Sequence, residues 1–189
     1  MVKLNKIYTR TGDNGTTGLV DGSRLGKDDA RMAAIGDVDE ANSAIGIAVT
    51  ALGDSEHGVL LCSIQNDLFD LGADLATPIG DTPDPEWALR IIPAQIDRLE
   101  AAIDRLNGDL APLDSFILPG GTAAAGHVHL ARAIVRRAER AAVRASAGCT
   151  LNPSAIAYLN RLSDLLFVLG RVVNAGAGGD VKWVPGASR

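Results

Sequence analysis

Residues 127–144 read HVHLARAIVRRAERAAVR, and this stretch decides the fold. It holds five arginines and a single acid, Glu139, in a chain whose formal net charge is -5. At about 100° per residue, its polar and apolar side chains separate onto two sides of a long helix. The polar side is expected to carry His129, Arg132, Arg136, Glu139 and Arg140. The apolar side is expected to carry Leu130, Ala131, Ile134, Ala138 and Ala141.

The arginines of this helix repeat at a spacing that disfavours an isolated helix. Arg136 and Arg140 are four residues apart, as are Arg140 and Arg144, and like charges at this spacing repel. We therefore expect an anionic group to face the arginines. The alternative is a basic face that is simply solvated.

A second anion-binding signal lies near the N-terminus, in the segment TRTGDNGTTG at residues 9–18. Its glycines allow a ligand to approach closely and permit positive φ angles. Successive N–H groups can then form an anion-binding nest, to which threonine hydroxyls add donors. The segment is neither a Walker A loop, which ends in Gly-Lys-Ser/Thr, nor a dinucleotide fingerprint, which links a strand to a helix. An ordinary glycine and asparagine turn is the alternative.

Composition narrows the class of protein. The chain has 189 residues, 47% of them hydrophobic and only 4% aromatic, which fits one domain with an aliphatic, alanine-rich core. Its acidic balance argues against general nucleic-acid binding, and no apolar run is long enough for a membrane span. The N-terminus lacks the apolar core of a secretory signal. We therefore expect a cytoplasmic protein in which Cys62 and Cys149 are reduced and buried.

Hydrophobic periodicity predicts an all-α fold of five helices. They are expected at residues 28–52, 56–76, 93–107, 122–147, and from Asn152-Pro153 to about Asn174. We expect one domain, a helical bundle with the Gly/Thr-rich loop laid across it. Residues 1–27 would form that loop, residues 28–175 the bundle and residues 176–189 a loose tail.

Two connections between the predicted helices are unusual. Residues 77–87 are rich in prolines and acids, so a mobile surface loop is expected. Residues 112–121 carry the apolar patch Phe116-Ile117-Leu118 ahead of Pro119-Gly120-Gly121. No strand elsewhere in the sequence is a convincing partner for this patch.

Polar residues interrupt two of the predicted helices. The first helix contains Asp37, Asp39, Glu40, Asn42 and Ser43, and the fifth contains Asn160, Asp164, Arg171 and Asn174. Each set is either a solvated face or part of one site formed with the arginine helix. In the second case carboxylates would pair with arginines, because a partly buried arginine needs an acceptor.

Other kinds of site lack their motifs. A di-iron bundle needs Glu-x-x-His pairs, and the sequence has none. His127 and His129 lie about 200° apart around a helix and cannot share a metal from regular helical positions. Neither a Gly-x-Ser-x-Gly motif nor a Cys/His arrangement is present for nucleophilic catalysis.

Four blocks of sequence, in order, carry a specific resemblance. They are YTRTGDNG at 8–15, then KDD at 27–29 with GDVDE at 36–40, then FILPGG at 116–121 leading to HLARAIVRRAER at 129–140, and YLNRLSD at 158–164. Over nearly its whole length the chain resembles the PduO-type ATP:cob(I)alamin adenosyltransferases. The resemblance implies a five-helix, ferritin-like bundle that forms homotrimers, with ATP and corrinoid sites between subunits.

The resemblance also implies roles for individual residues. The triphosphate of ATP would lie in the loop, with Mg²⁺, against Thr9, Arg10, Thr11, Gly12, Asp13, Gly15, Thr17 and Lys27. The partner subunit would line the nucleotide site with Arg132, Arg136, Glu139 and Asn160, and Glu139 is a possible magnesium ligand. Asp39 would pair across the interface with Arg132, and Phe116 would pack beneath the corrin and displace the lower axial ligand of cobalt. Arg132, Arg136, Phe116 and Asp39 are thus the candidate catalytic residues.

The implied reaction is displacement at carbon, in which cobalt(I) attacks the 5′ carbon of ATP and triphosphate leaves. Such a nucleophile needs no general base, so catalysis consists of positioning and charge stabilisation. Arg10 and Asn14 stand where the family often has lysine, which affects the expected ATP affinity because arginine differs in shape. Adenosylcobalamin would pass to an enzyme that depends on it, and neither nucleic acid nor membrane is an expected partner.

Two alternatives use the same bundle. One is a chaperone or regulatory trimer that binds ATP and corrinoid without turnover. The other is an oligomeric scaffold whose arginines pair only with acids across an interface, and such a scaffold needs neither Phe116 nor the Gly/Thr-rich loop.

Overall fold

The structure, a computed structural model, describes residues 7–80 and 84–189 and contains five helices and one hairpin within them. The helices are α1 (Ala30–Leu52), α2 (Glu56–Leu75), α3 (Pro93–Asn107), α4 (Ala123–Ala145) and α5 (Pro153–Ala175). The hairpin pairs β1 (Thr16–Gly18) with β2 (Arg24–Gly26) in antiparallel register. The predicted five-helix bundle is confirmed, and each observed helix boundary lies within two residues of the predicted one.

Local capping residues explain why the helix boundaries could be predicted from the sequence. The side chains of Asp29, Ser55, Thr122 and Asn152 each accept a hydrogen bond from a backbone N–H in the first turn of the helix that follows. The α5 helix also has proline at its first position, as does α3. These signals lie in the sequence itself, so they do not depend on packing.

The bundle core is aliphatic and is shared by all five helices. The α1 helix packs against α2 and α4, and α5 packs against α4 and α3. Fully buried alanines on α1 (Ala34, Ala41, Ala48) and α4 (Ala131, Ala138) lie in the core. Because small side chains shorten the distance between helix axes, the α1–α4 contact is close and extensive.

The buried side of α4 differs from the predicted one. Leu130 is 52% exposed, whereas His129 is only 2% exposed. The core side is formed instead by Val128, Ala131, Val135, Ala138, Ala142 and Ala145. The alanine-rich helix gives a weak apolar signal, so its contacts with α1 and α5, rather than residue hydrophobicity, decide which side is covered.

The prediction that both cysteines are buried is wrong for Cys62. Both cysteines are free, but Cys62 is exposed and Cys149 is half-buried. Cys62 follows the fully buried Leu61 on α2. One residue is about 100° of rotation on a helix, which carries the thiol onto the outer surface.

The patch at residues 116–118 pairs with no strand of the described chain, as expected, but it forms an isolated antiparallel β-bridge between Ile117 and Lys182. The N–H of Leu118 donates to the carbonyl of Val181 at 2.7 Å, and the N–H of Trp183 donates to the carbonyl of Phe116 at 2.8 Å. Residues 180–183 are therefore held against the bundle rather than loose. Strands are usually recognised in a sequence by alternating polar and apolar residues. The two paired segments here are too short to show that alternation.

A buried ion pair anchors this tail. The Nε of Arg171 donates to Asp180 Oδ2 at 2.9 Å, and its Nη2 donates to the carbonyl of Ala111 at 2.7 Å. Only 8% of the Arg171 side chain and 13% of the Asp180 side chain are exposed. The tail is thus joined to α5 and to the segment that precedes Phe116.

The connection between α2 and α3 is irregular where the structure describes it. Residues 81–83 of the loop expected at 77–87 lie outside the described residues. Arg90 donates to Asp74 Oδ1 and to the carbonyl of Thr77, each at 2.8 Å, and pairs with Asp84. In the described ranges, none of the helices combines the length and apolar character that a bilayer span requires.

Candidate functional site

The Gly/Thr-rich segment forms a tight turn that leads into the hairpin. Arg10 and Gly15 have φ angles of 63° and 81°, and the Lys27 N–H donates to the Gly15 carbonyl at 2.8 Å. A Cβ added to Gly12 would lie 3.2 Å from the Lys27 ammonium nitrogen. The structure thus places Lys27 next to the loop.

Several N–H groups of this turn remain available to a ligand. In the described part of the chain, the N–H groups of Thr11, Gly12 and Asn14 donate to no acceptor. The Thr9 and Thr11 hydroxyls lie 2.9 Å apart and share a hydrogen bond. Free backbone donors beside threonine hydroxyls, a lysine and an arginine are the groups from which an anion-binding nest is built. Asp13 is exposed and Thr17 lies in β1.

Arg24 is a residue that sequence reasoning missed. Its guanidinium donates to the Thr11 carbonyl at 2.8 Å and to the Thr16 hydroxyl at 2.7 Å. The signal for it is the hairpin register, which pairs Thr16 with Gly26 and Gly18 with Arg24. Diagonal neighbours across two strands are within reach of long side chains, but this register was not predicted.

A second candidate region is an aromatic groove of about 720 Å³ beside the middle of α4. Its lining includes Leu113, Phe116, Arg132, Phe167 and Trp183. Phe116 is 78% exposed, and its ring lies 6.0 Å from that of Trp183 in an edge-to-face arrangement. Phe116 is therefore not a plug in the bundle core.

Arg132 enters this groove with part of its charge unsatisfied. Its Nε is buried and has no acceptor within the described chain. Burial lowers the pKa of Arg132, and the neighbouring positive charge of Arg136 lowers it further. Since an unpaired, desolvated guanidinium is costly, an acceptor from a ligand or another subunit is expected beside it.

His129 lies three residues before Arg132, on the same side of α4. Its Nε2 is buried without a partner in the described residues, and its ring lies 6.4 Å from that of Phe167. Burial lowers the pKa of His129, as does the nearby charge of Arg132, while Asp180 opposes the shift. A Cβ on Gly170 would lie 2.8 Å from the ring, so the glycine makes room for the imidazole.

The remaining predicted residues of α4 have distinct surroundings. Asn160 on α5 donates to Glu139 Oε1 at 2.9 Å, which brings two expected nucleotide-binding residues together. Arg136 is exposed. Arg137, by contrast, pairs with Asp37 at 3.2 Å and with Glu40. Its pKa is raised, first by the hydrogen bond that Arg137 donates to the Glu40 carboxylate and then by the charges of both acids, against the opposing effect of burial.

The polar stripes do not converge on one site within a single chain. Glu139 links α4 to Asn160 of α5, but the other polar residues of α5 have separate partners. Asp164 pairs with Arg161, Arg171 holds the tail, and Asn174 bonds to residues 120 and 122. The exposed Asp39 contacts none of these α5 residues.

The hairpin and the groove lie at different levels along α4. The hairpin residues Leu19 and Leu25 line a cavity with Arg144 and Cys149, at the C-terminal end of the helix. Twelve residues separate Arg144 from Arg132, which is about 18 Å along a helix axis. One chain therefore does not bring its loop onto its own groove.

These features define a class of protein: a helical bundle with a glycine- and threonine-rich turn before its hairpin, and an aromatic groove whose arginine has no partner among the described residues. Residues 7–173 match the family model for cobalamin adenosyltransferase, and the chain belongs to that family.

Individual relatives agree with this assignment. A corrinoid adenosyltransferase of Mycobacterium tuberculosis is 53% identical over 194 residues, covering 100% of this chain and 97% of the relative. The PduO corrinoid adenosyltransferase of Salmonella typhimurium is 43% identical over 172 residues, covering 90% of this chain and 50% of that longer protein. A variant PduO-type ATP:corrinoid adenosyltransferase from Lactobacillus reuteri, solved with cobalamin and ATP, is 36% identical with a TM-score of 0.87, covering 95% and 97% of the two chains.

Proposed function

We propose that this protein transfers the 5′-deoxyadenosyl group of ATP to the cobalt of a reduced corrinoid, releasing triphosphate. The single observation that carries the proposal is the unpaired Arg132 beside an aromatic groove, in a chain that also carries an anion-binding loop. Family membership supports the choice of reaction over other uses of such a site.

The nucleotide is proposed to bind with its triphosphate in the loop. Thr9, Thr11, Gly12, Asp13, Gly15 and Thr17 surround it with hydroxyl and N–H donors, and Arg10 and Lys27 supply positive charge. Free N–H groups in the turn support this role, because they bind anions without losing an internal hydrogen bond.

The second half of each site is proposed to come from a neighbouring subunit of a homotrimer. Arg132, Arg136, Glu139 and Asn160 would then face the nucleotide held by the partner's loop. The separation of hairpin and groove along α4 supports a shared site, since one chain cannot complete it alone. We further propose that Asp39 of one subunit accepts the hydrogen bond that Arg132 lacks.

The chemistry needs positioning more than proton transfer. A Co–C5′ bond forms as the C5′–O bond to the triphosphate breaks, and the electron pair leaves with the triphosphate. Cobalt(I) is itself the nucleophile, so no side chain has to remove a proton. Arg132 and Arg136 stabilise the charge that develops on the leaving group, a role that such donors fill without reorganisation.

The groove is proposed to hold the corrin ring against Phe116. An exposed aromatic side chain at its mouth, backed by Trp183, supports a role in excluding water and the lower axial ligand. Removal of that ligand makes reduction from cobalt(II) easier.

Magnesium is proposed to arrive with ATP rather than to occupy a protein cage. The described residues contain no group of three His, Cys, Asp or Glu side chains placed to hold a metal. Mg²⁺ commonly binds through substrate phosphates, water and one or two carboxylates. Glu139 is a suitable carboxylate, and Asn160 orients it.

One assay tests the proposal. The protein is mixed anaerobically with ATP, Mg²⁺ and chemically reduced cobalamin, and adenosylcobalamin is followed by absorbance. Turnover supports the enzyme, binding of both ligands without turnover identifies a chaperone, and binding of neither identifies a scaffold. We propose that the enzyme works in the cytoplasm, where ATP is supplied, and that its product passes to an adenosylcobalamin-dependent enzyme.

A further inference from the structure

We infer that Arg24 is a positioning residue for the nucleotide: it sets the shape of the phosphate-binding turn without contacting the reacting atoms. This inference rests on the proposed function, since it assigns a role within the same nucleotide site. It comes from a set of contacts on β2 that reach across the hairpin.

The Arg24 guanidinium joins the two ends of the turn. Its Nη2 donates to the Thr11 carbonyl at 2.8 Å, ahead of the turn, and to the Thr16 hydroxyl at 2.7 Å, after it. Its Nε adds a longer bond to the same hydroxyl at 3.2 Å. Gly12–Gly15 therefore lie between two points that one rigid side chain holds together.

Thr16 links the Arg24 guanidinium to a residue inside the turn. Its hydroxyl accepts from Arg24 and donates to Asn14 Oδ1 at 2.8 Å, and its N–H donates to the same oxygen at 3.2 Å. The asparagine side chain thereby closes a local turn of the Asx type. Arg24, Thr16 and Asn14 form one hydrogen-bonded chain along the loop.

The contact with Thr11 also matters for the charge of the site. A carbonyl oxygen that faces a phosphate repels it, whereas an N–H attracts it. Because Arg24 engages the Thr11 carbonyl, that oxygen is satisfied away from the ligand. The free N–H groups of Thr11, Gly12 and Asn14 can then face the phosphates without a competing acceptor among them.

The test compares Arg24→Ala and Arg24→Lys with wild type in steady-state adenosylation. Hydrogen bonds to charged groups of this kind change binding by about tenfold or more when removed. We expect Arg24→Ala to raise KM for ATP by about that factor, with kcat and the corrinoid KM within about twofold. Arg24→Lys keeps the charge but replaces the planar, rigid guanidinium with a flexible ammonium that does not fix the geometry of its acceptors, so it should remain impaired.

Two further variants show whether Arg24 acts by shaping the turn or whether the loss of any arginine has the same effect. Arg105→Ala removes an exposed arginine that pairs with Glu56 on the far side of the bundle, and it should leave the ATP KM unchanged. Thr16→Val removes the shared hydroxyl. Combined with Arg24→Ala, it should raise KM by less than the product of the single effects, because both act through one contact.

Specific results would overturn the inference. An unchanged ATP KM in Arg24→Ala would exclude a role in the turn, and full rescue by lysine would mean that charge alone matters. Equal losses in ATP KM, corrinoid KM and melting temperature would indicate a merely structural residue. If wild type does not turn over, the proposed function fails, but calorimetric ATP binding by the same variants still decides the role of Arg24.

Discussion

At the scale of single residues, charge satisfaction distinguishes the arginines of α4. Arg137 has two carboxylates of α1 as partners, whereas the buried Nε of Arg132 has none in the described chain. Arg136 is exposed on the same helix. Arg137 therefore stabilises the bundle, while the other two have charge available for a ligand or a neighbouring subunit.

Arg136→Ala should nearly abolish turnover and leave the fold intact. The side chain is exposed, so no core volume is lost, but the proposed donor to the leaving triphosphate disappears. Losing such a donor costs about 10²–10³-fold in rate. Initial rates measure the loss, circular dichroism checks the fold, and Arg105→Ala is the control. Activity within about twofold of wild type would exclude a direct catalytic role.

Phe116→Ala should affect the reduction of cobalt(II) more than the transfer of the adenosyl group to cobalt(I). Because Phe116 is 78% exposed, its truncation should change stability by less than about 0.5 kcal/mol, as is usual for surface positions. Adenosylation that starts from cob(II)alamin should fail, whereas adenosylation of pre-reduced cob(I)alamin should survive better.

Phe69→Ala is the matched control, since Phe69 is a 72% exposed aromatic on α2. It should leave both reactions unchanged. Equal losses with the two cobalt states in Phe116→Ala would refute displacement of the axial ligand and would leave Phe116 as a general contact to the corrinoid.

At the scale of elements, the α4–α5 contact determines where the groove arginine lies. The buried His129 imidazole fits against α5 only because residue 170 has no side chain. The imidazole lies near the charge of Arg132 and contacts the ring of Phe167. The surroundings of these two groove residues therefore depend on how closely α4 approaches α5.

Gly170→Ala tests this dependence. Its new methyl group would lie 2.8 Å from the His129 ring, so overpacking should destabilise the protein by about 1–3 kcal/mol. Gly72→Ala in α2 is the control, because nothing lies within 4 Å of its added Cβ and helical alanine is favoured by about 0.5–1 kcal/mol. Chemical denaturation measures both. Equal stability of the two variants would show that the imidazole moves aside freely.

At the scale of the whole molecule, the two halves of the proposed site lie at different levels along α4 in one chain. The proposed trimer with sites between subunits would resolve this arrangement, because a neighbour's loop would then face the arginines of α4. The exposed apolar side chains Ile47 of α1 and Leu130 and Val143 of α4 would be covered in such an assembly.

Mixing two inactive variants tests the shared site. Lys27→Ala lacks a loop cation and Arg136→Ala lacks a groove cation, so each homotrimer should be nearly inactive. After exchange of subunits, about one quarter of interfaces should pair an intact loop with an intact α4 face. Adenosylation should then recover to a comparable fraction of wild type, with light scattering confirming trimers. No recovery in well-mixed trimers would mean that each chain supplies both residues itself.

Local sequence is enough to specify the five helices and to indicate the two candidate anion-binding segments. Helix periodicity and capping act within one or two turns, so residues such as Asp29, Thr122 and Pro153 mark boundaries without reference to the rest of the chain. Glycine-rich turns are equally local. The four sequence blocks led to the family for the same reason, since they are runs of adjacent residues.

The tertiary structure alone decided which of these residues meet. Three features depend on segments that packing brings together. They are the hydrogen bond from Arg24 to Thr16, the pairing of residues 181–183 with 116–118, and the lack of a partner for Arg132 among the described residues. The prediction for α4 failed at His129 and Leu130 because an alanine-rich helix has little hydrophobic contrast, so its neighbours choose the buried side. Helix formation is local, but the satisfaction of each charge is a property of the whole assembled bundle.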